Sequence, residues 1–429
     1  RPPARPTMRA AGLAVGLAAL IVGTHARLEG LDLLGGDGQE SGFLPVNGGQ
    51  MFYWFFEARN GDRDAPLLIW LQGGPGGSGM EGLFFEVGPL YLDENLDVSP
   101  RKYSWNNQFN QLFVDNPIGT GYSYVYGEDD YSNSEEAIAE NLIAFMLQFY
   151  NAYPDLADNA LFLTGESYAG KYIPAFSYAI VNYNAGSPDV PIPLEGFALG
   201  DSLIDPCSQV LTKPDAAYVF GLVDGPQREE AQAYAKLAND ACGRQQWRDA
   251  LQYRDSMESV VSSASDINLY DVSTFDKYYQ DWDDRLDVFL NEPTVKARLN
   301  VGNHTWATDD GVYNSLEEDI MKSQAFKMPT VWDAGIRTLF YQGGFDWKDG
   351  PSSNEQWLRR LPWDGLEAYN SAERIVWAVN GAKAGFVKSS GVLTELVGPA
   401  AGHFFPYNQP ERAFEMITLF VNNMPFESA

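Results

Sequence analysis

Short apolar runs alternate with longer segments whose apolar residues recur every three or four positions, and this alternation organises the chain. Ser41–Val46 and Met51–Glu57 are bounded by Gly and Asn, and Met51–Glu57 is rich in aromatics, which favours early strands. Pro66–Leu71 is a near-continuous apolar run, as expected of a strand covered on both faces, and Leu112–Pro117 reads as another buried strand. Leu161–Leu163, Leu194–Asp201, Arg337–Gly344 and Val392–Val397 read as further strands, the last of these closing the sheet. Between them, residues 134–152 place Ile138, Leu142, Phe145, Met146 and Phe149 on one helical face, with Ser134 as N-cap and Glu135 and Glu136 in the first turn. A helix from Pro410 to Asn422 turns Phe414, Ile417 and Phe420 inward, with proline in its first turn. Strands alternating with helices predict an α/β fold: a mostly parallel central sheet with helices on both faces.

The texture changes from about Pro206 to Asp284. Polar helical patterns rich in Glu, Gln, Ala and Arg replace the buried strands. Residues 206–284 are therefore expected to form a helical cap inserted between two parts of one core, 27–205 and 285–429. Residues 1–26 stand apart. Met8 and Arg9 precede the apolar run Ala10–Val22 and the small-residue exit Gly23-Thr24-His25-Ala26. That pattern reads as upstream residues and a secretory signal peptide, cleaved after Ala26. Elsewhere no run is long and apolar enough to span a bilayer, so no stable membrane association is expected.

Composition narrows the partners. Lys and Arg number 29 against 58 Asp and Glu, a formal net charge of −29 at pH 7. Such a chain repels nucleic acid and anionic membranes. The acid is spread along the chain, as on a solvated surface, and suits an acidic compartment. Two cysteines, Cys207 and Cys242, form either one disulfide or two buried thiols. Without a C-x-x-C pair and with three histidines, no metal site is expected, nor any cofactor. Asn303-His304-Thr305 is a glycosylation sequon, so Asn303 is a candidate acceptor.

The chemistry centres on Thr164-Gly165-Glu166-Ser167-Tyr168-Ala169-Gly170, where a strand passes through a tight turn into a helix-compatible segment. This is the pattern of a nucleophile elbow, which lifts a serine hydroxyl clear of the backbone. Serine needs a base, and the base needs an orienting group. Of the three histidines, His25 lies in the signal segment and His304 in the sequon, leaving His403 just beyond the last strand. The acid should lie between serine and histidine, at the end of a late strand. Asp346 and Asp349 both qualify. Upstream, Gln72-Gly73-Gly74-Pro75-Gly76-Gly77-Ser78-Gly79 follows the strand Pro66–Leu71. Glycines this dense allow close backbone approach, either to a phosphate or to a developing oxyanion, and no Gly-Lys-Ser/Thr follows to favour a phosphate.

The string Gly-Glu-Ser-Tyr-Ala-Gly-x-Tyr-x-Pro around Ser167 resembles the active-serine motif of the serine carboxypeptidases. Trp70-Leu71-Gln72-Gly73-Gly74-Pro75-Gly76, followed by Gly82-Leu83-Phe84-Phe85-Glu86, resembles their second hallmark. The resemblance covers nearly the whole chain after residue 26 and is weakest in the cap. It implies an α/β-hydrolase fold and a serine-type carboxypeptidase that releases C-terminal residues through an acyl-enzyme, favoured at acidic pH. It assigns Ser167, Asp346 and His403 as the catalytic set and the N–H groups of Gly74 and Tyr168 as the oxyanion donors. It assigns Glu166 and Glu86, with Trp70 and Gln72, as the site for the substrate's free carboxylate, two close carboxyls retaining a proton in acid. The expected partners are peptide or protein C-termini, met in the secretory route, outside the cell or in a vacuole or lysosome. Gln72 stands where most of the family has Asn, Gly77 where many have Cys, and Gly200-Asp201 where Gly-Asn is usual. These departures look like the vitellogenic-like branch. An acyltransferase or esterase on the same scaffold is the alternative.

Overall fold

The computed structural model describes residues 30–36, 38–308 and 310–426, so the signal-peptide reading of residues 1–26 lies outside the described residues. In chain order the strands are β1 (Gln39–Val46), β2 (Gly49–Phe56), β3 (Leu67–Leu71), β4 (Leu90–Leu92), β5 (Val98–Pro100), β6 (Asn110–Val114), β7 (Tyr124–Val125), β8 (Leu161–Glu166), β9 (Leu194–Gly200), β10 (Arg337–Gly343), β11 (Arg374–Val379), β12 (Ala382–Ser390) and β13 (Leu393–Gly398). The central sheet has the spatial order β1-β2-β6-β3-β8-β9-β10-β13-β12-β11, with β7 paired to β2 and with β4 and β5 forming a separate hairpin. From β6 to β13 every pairing is parallel, while β1, β2, β12 and β11 extend the two flanks antiparallel.

The parallel strands explain the apolar runs. On β3 the side chains of Leu67, Ile69 and Leu71 enter one core and those of Leu68 and Trp70 enter the other, because successive residues of a strand face opposite sides. Helix Glu135–Ala152 covers the first face with the stripe expected of it, and Ser134 Oγ accepts the Ala137 N–H at 3.4 Å. Helix Pro410–Val421 covers the second face with Met416, Ile417 and Phe420.

Between β9 and β10 the chain runs through helices Pro206–Gln209, Lys213–Val219, Gly225–Gly243 and Trp247–Ser265. These share a small core of their own, in which Ala231, Ala235, Ala238, Met257 and Val261 meet Trp347 from beyond β10. Cys207 and Cys242 are joined by a disulfide across two of the helices. At helix Trp282–Leu290 the chain returns to the second main core through Trp282, Leu286 and Phe289.

The sheet is longer than the sequence pattern predicts. β11 and β12 form an antiparallel hairpin that the reading above lacks, turning at Asn380 (φ 50°) and Gly381 (φ 76°). Asn-Gly between two strand-forming runs is the local signal for such a turn.

Candidate active site

Because neighbouring strands here are parallel, their C-terminal ends gather at one edge, where ligands of open α/β sheets bind. Gln72 follows β3, Ser167 follows β8, Asp346 follows β10 and His403 follows β13. Chain order thus brings residues from four distant segments to one mouth.

The turn at Ser167 is tight. Its φ is 57°, left-handed for a residue with a Cβ, and helix Ala169–Ala185 starts two residues later. Small neighbours make room for this. A Cβ at Gly165 would lie 2.2 Å from Leu71 O, and one at Gly170 would lie 2.8 Å from the Leu203 backbone. The turn is fixed by Ser167 N–H donating to Gly200 O (3.0 Å) and Leu203 N–H donating to Ser167 O (3.0 Å).

His403 is buried. Its Nδ1 lies 2.8 Å from Asp346 Oδ2, and its backbone N–H donates to Tyr270 O at 2.7 Å. Asp346 is positioned in turn by the N–H groups of Lys348 (2.7 Å, to Oδ1) and Asp349 (3.0 Å, to Oδ2). Of the two aspartates in this loop, Asp346 faces the imidazole, while Asp349 faces Lys213 at 3.7 Å. His403 Nε2 is buried without a hydrogen-bond partner among the described residues. Both His403 and Ser167 line a cleft of about 360 Å³.

The glycine-rich loop abuts the elbow. A Cβ on Gly73 would lie 2.6 Å from Ser167 Cβ, 3.0 Å from its Oγ and 3.0 Å from Tyr168 N. Sequence reasoning named Gly74 and overlooked Gly73, although the uninterrupted Gly73-Gly74 pair carried the hint. The N–H groups of Gly74 and Tyr168 donate to no described residue, and Gly74 lines the cleft.

Beside the serine, Trp70, Gln72, Glu86 and Glu166 are all buried and connected. Trp70 Nε1–H donates to Gln72 Oε1 at 2.6 Å, and Gln72 Nε2 donates to Glu166 Oε1 at 3.0 Å and reaches Glu86 Oε1 at 3.4 Å. The longer Gln side chain therefore still reaches both acids. Glu86 is presented by a single widened helical turn, Gly82–Glu86, and Gly82 has no room for a Cβ, which would lie 2.1 Å from Trp70 Nε1. Burial raises both carboxyls, Glu86 to about 7 and Glu166 well above the usual range, where the neighbouring Glu86 adds to the effect. Oε2 of each lacks a donor among the described residues. One proton held between the two acids satisfies both, and a group that keeps its proton can donate to an incoming carboxylate.

Two further ionisable neighbours were given no role by the sequence reading, which noted Asp201 only as a departure from the family pattern and did not name Arg101. Asp201, fully buried, accepts the Gly343 N–H at 2.9 Å and 3.1 Å through its two oxygens, next to Asp346. Burial and the Asp346 carboxylate hold it well above its ordinary range. Arg101 is part-buried behind Glu86, its guanidinium donating to Phe84 O and Gly88 O. Asn303, by contrast, lies apart from the cleft, exposed beside His304, whose ring stacks on Tyr124 at 4.4 Å.

A serine on a strained strand-to-helix turn, at the carboxyl edge of a mostly parallel sheet and in one cleft with an aspartate-held histidine, defines an α/β-hydrolase. The comparisons narrow the class. The family described as serine carboxypeptidase matches residues 35–423. A probable serine carboxypeptidase CPVL from Dictyostelium discoideum is 39% identical over 401 residues, covering 90% of this chain and 79% of that one. The vitellogenic carboxypeptidase of Aedes aegypti is 34% identical over 395 residues, covering 89% and 83%. Among solved structures, Kex1(delta)p, a prohormone-processing carboxypeptidase from Saccharomyces cerevisiae, superposes with a TM-score of 0.82 over 92% of this chain and 94% of that chain at 22% identity, which shows the shared fold. This chain belongs to the serine carboxypeptidase family, with vitellogenic-like carboxypeptidases among its relatives.

Proposed function

We propose that this protein is a serine-type carboxypeptidase that removes C-terminal residues from peptides one at a time through an ester on Ser167. The observation that carries the reading is the buried, proton-retaining Glu86–Glu166 pair beside a serine that shares its cleft with an aspartate-held imidazole. Retention of both acids favours a substrate with a free carboxylate over the neutral ester of a simple esterase.

In this reading Ser167 Oγ adds to the scissile carbonyl carbon while its proton passes to His403 Nε2. Asp346 holds the imidazole through Nδ1 and stabilises the cation that forms. The N–H groups of Gly74 and Tyr168 receive the negative oxygen. The C–N bond then breaks, the proton on Nε2 goes to the leaving amine, and the terminal amino acid departs. Water, deprotonated by Nε2, attacks the ester carbonyl. The shortened peptide leaves as a carboxylic acid and Ser167 regains its proton. Gln72 Nε2 and the protonated member of the acid pair bind the substrate's C-terminal carboxylate, and Trp70 orients Gln72.

The same proposal reads residues 206–284 as a cap over the cleft and residues 285–429 as the second part of the core. Support comes from the small separate core of the helices and from Tyr270, Tyr279 and Trp282, which line the cleft. It also places the enzyme in the secretory route, outside the cell or in an acidic vacuole or lysosome, with Asn303 glycosylated. Among the described residues no helix is long and apolar enough to cross a membrane.

The test is release of the terminal residue from a blocked dipeptide, compared with its C-terminal amide, together with labelling by a fluorophosphonate. The free acid is expected to turn over far faster than the amide, and Ser167→Ala is expected to abolish both turnover and labelling. Equal rates on acid and amide, or full activity of Ser167→Ala, would overturn the reading.

A further inference from the structure

The cleft that holds Ser167 carries more acid than the steps above use. Besides Glu166 its lining includes Glu81, Asp283 and Asp310, and among the described lining residues none is Lys or Arg. Two buried atoms on the same lining residues lack any hydrogen-bond partner among the described residues, Glu166 Oε2 and His403 Nε2, as expected where substrate is to sit.

Glu81 has a defined place in that cleft. Its Oε1 accepts the Ser78 N–H at 3.1 Å, completing a capping box that fixes the side chain, while Oε2 takes no part in that bond. A Cβ on Gly77 would lie 3.1 Å from Gln72 Cγ and 3.2 Å from Glu81 Oε1, so the two side chains flank one glycine. Gln72 is the residue read above as gripping the C-terminal carboxylate. The side chain of that same terminal residue branches from the adjoining carbon, and Glu81 is an acidic side chain of the lining set beside Gln72. Asp283 approaches Glu81 from helix Trp282–Leu290, close enough for the two charges to act on each other. Trp282 is fixed there by stacking on Phe85 at 4.6 Å. An indole with two carboxyls nearby matches an apolar stem that ends in a cation.

We propose, resting on the carboxypeptidase reading, that Glu81 and Asp283 form the subsite for the departing residue's side chain and that the preferred substrates are peptides ending in Lys or Arg. A cationic head supplies the positive charge this wall lacks, and a terminal Asp or Glu is repelled by it. The preference has its own pH signature. The charges that act most on Glu81 are the acids Asp283 across the cleft, Glu86 along the same segment and Asp115 at the end of β6, while on the helix of Asp283 the acid Asp284 adds to it and Arg285, over Phe85, is paired with Asp281. Burial, with those charges added, holds the Glu81 carboxyl well above the ordinary range. In acid it is neutral and attracts a cation weakly. Selectivity for Lys and Arg therefore rises with pH even where the overall rate declines.

The experiment uses blocked dipeptides with one common penultimate residue and a terminal Lys, Arg, Leu or Glu. Their kcat/KM is measured at pH 4.5 and pH 6.5 for the wild type, Asp283→Asn and Glu81→Gln. Lys and Arg are expected to exceed Leu by about tenfold or more at pH 6.5, with Glu slowest. The Lys-to-Leu ratio should be larger at pH 6.5 than at pH 4.5, and each variant should lower it severalfold. Asp283 lies at the first turn of its helix on an exposed position, so Asp283→Asn tests the subsite even if Glu81→Gln disturbs the capping box. Faster release of Leu than of Lys, or an unchanged ratio in both variants, would overturn this inference and leave the carboxypeptidase reading standing. Labelling of Ser167 without release from any of the four peptides would overturn that reading itself.

Discussion

At the scale of single residues, the site depends on side chains that are absent as much as on those present. Gly73 sits against Ser167 so closely that a methyl group would meet its Cβ at 2.6 Å, well inside van der Waals contact. Gly73→Ala must therefore displace either the hydroxyl or the loop. It is expected to lower kcat on a blocked dipeptide by roughly 100-fold, since misplacing reacting atoms by an ångström costs that much. Near-wild-type kcat would show the loop to be free to yield. The acid pair gives a second prediction. Burial holds Glu86 near 7 and Glu166 well above the ordinary range, so the pair keeps a proton in acid and gives it up as pH rises. Two negative carboxylates then face a negative substrate terminus. KM should rise between pH 5 and pH 8, more steeply than kcat falls. Glu166→Gln should raise KM at pH 5 by about tenfold, equivalent to ~1.4 kcal/mol of lost binding. A wild-type KM that stays flat across that range would contradict the shared proton.

At the scale of elements, local pattern and long-range partnership separate cleanly. The strand that ends in Ser167, the helix capped by Ser134 and the apolar stripe from Ile138 to Phe149 were legible because each is written within a few neighbouring residues. His403 was legible because histidine is scarce, whereas strand ends left Asp346 and Asp349 both open until the resemblance favoured Asp346, the one the fold sets 2.8 Å from His403 Nδ1. What escaped depends on residues far apart in sequence. Glu135 reads as a solvated first-turn acid, yet it is fully buried and pushed up to about 8 by burial, moderated by Lys171. Lys171 is itself buried against Asp319, and no periodicity pairs residues 135, 171 and 319. The hairpin of β11 and β12 was missed for another reason: residues 374–390 are partly exposed and carry Arg and Lys, so no continuous apolar run announces them. Cys207 and Cys242 could be read either way in sequence, and the fold bonds them. That bond closes a loop with a sequence separation of 35, for which chain entropy suggests about 3–4 kcal/mol. Replacing both cysteines by serine should lower the temperature at which the helices between Pro206 and Ser265 become susceptible to protease, with the sheet core less affected. Equal loss of resistance throughout the chain would show that these helices do not unfold as a separate unit.

At the scale of the whole molecule, the acid that marks the composition also sets the pH at which the fold is firmest. Several carboxyls are fully buried and hold their protons far above the usual range: Asp115 to about 7 and Glu135 to about 8, each chiefly through burial, with Glu86 near 7. In the unfolded chain the same groups lose their protons near pH 4. Between roughly pH 4 and pH 8 the native state therefore binds more protons than the unfolded state, and stability must fall as pH rises through that window. Glu258 works in the opposite sense. Burial pushes it up, but Lys348, Lys213 and Arg254 together outweigh burial and hold it well below the ordinary value. Its contribution is present above the unfolded value and is lost only as pH falls below about 4. Ionisation of the surface adds to the first trend, because a formal charge of −29 at pH 7 is self-repelling and shrinks as the acids protonate. The two senses together place the stability maximum near pH 4.5–5, where the Glu86–Glu166 pair also keeps its proton. Scanning calorimetry should give a Tm several degrees higher at pH 5 than at pH 8, with the difference reduced in Glu135→Gln, which removes the carboxyl pushed up furthest among Glu86, Asp115 and Glu135. A Tm that rises from pH 5 to pH 8 would mean that these buried acids are paired in solution by cations or water, and would count equally against a shared proton between Glu86 and Glu166.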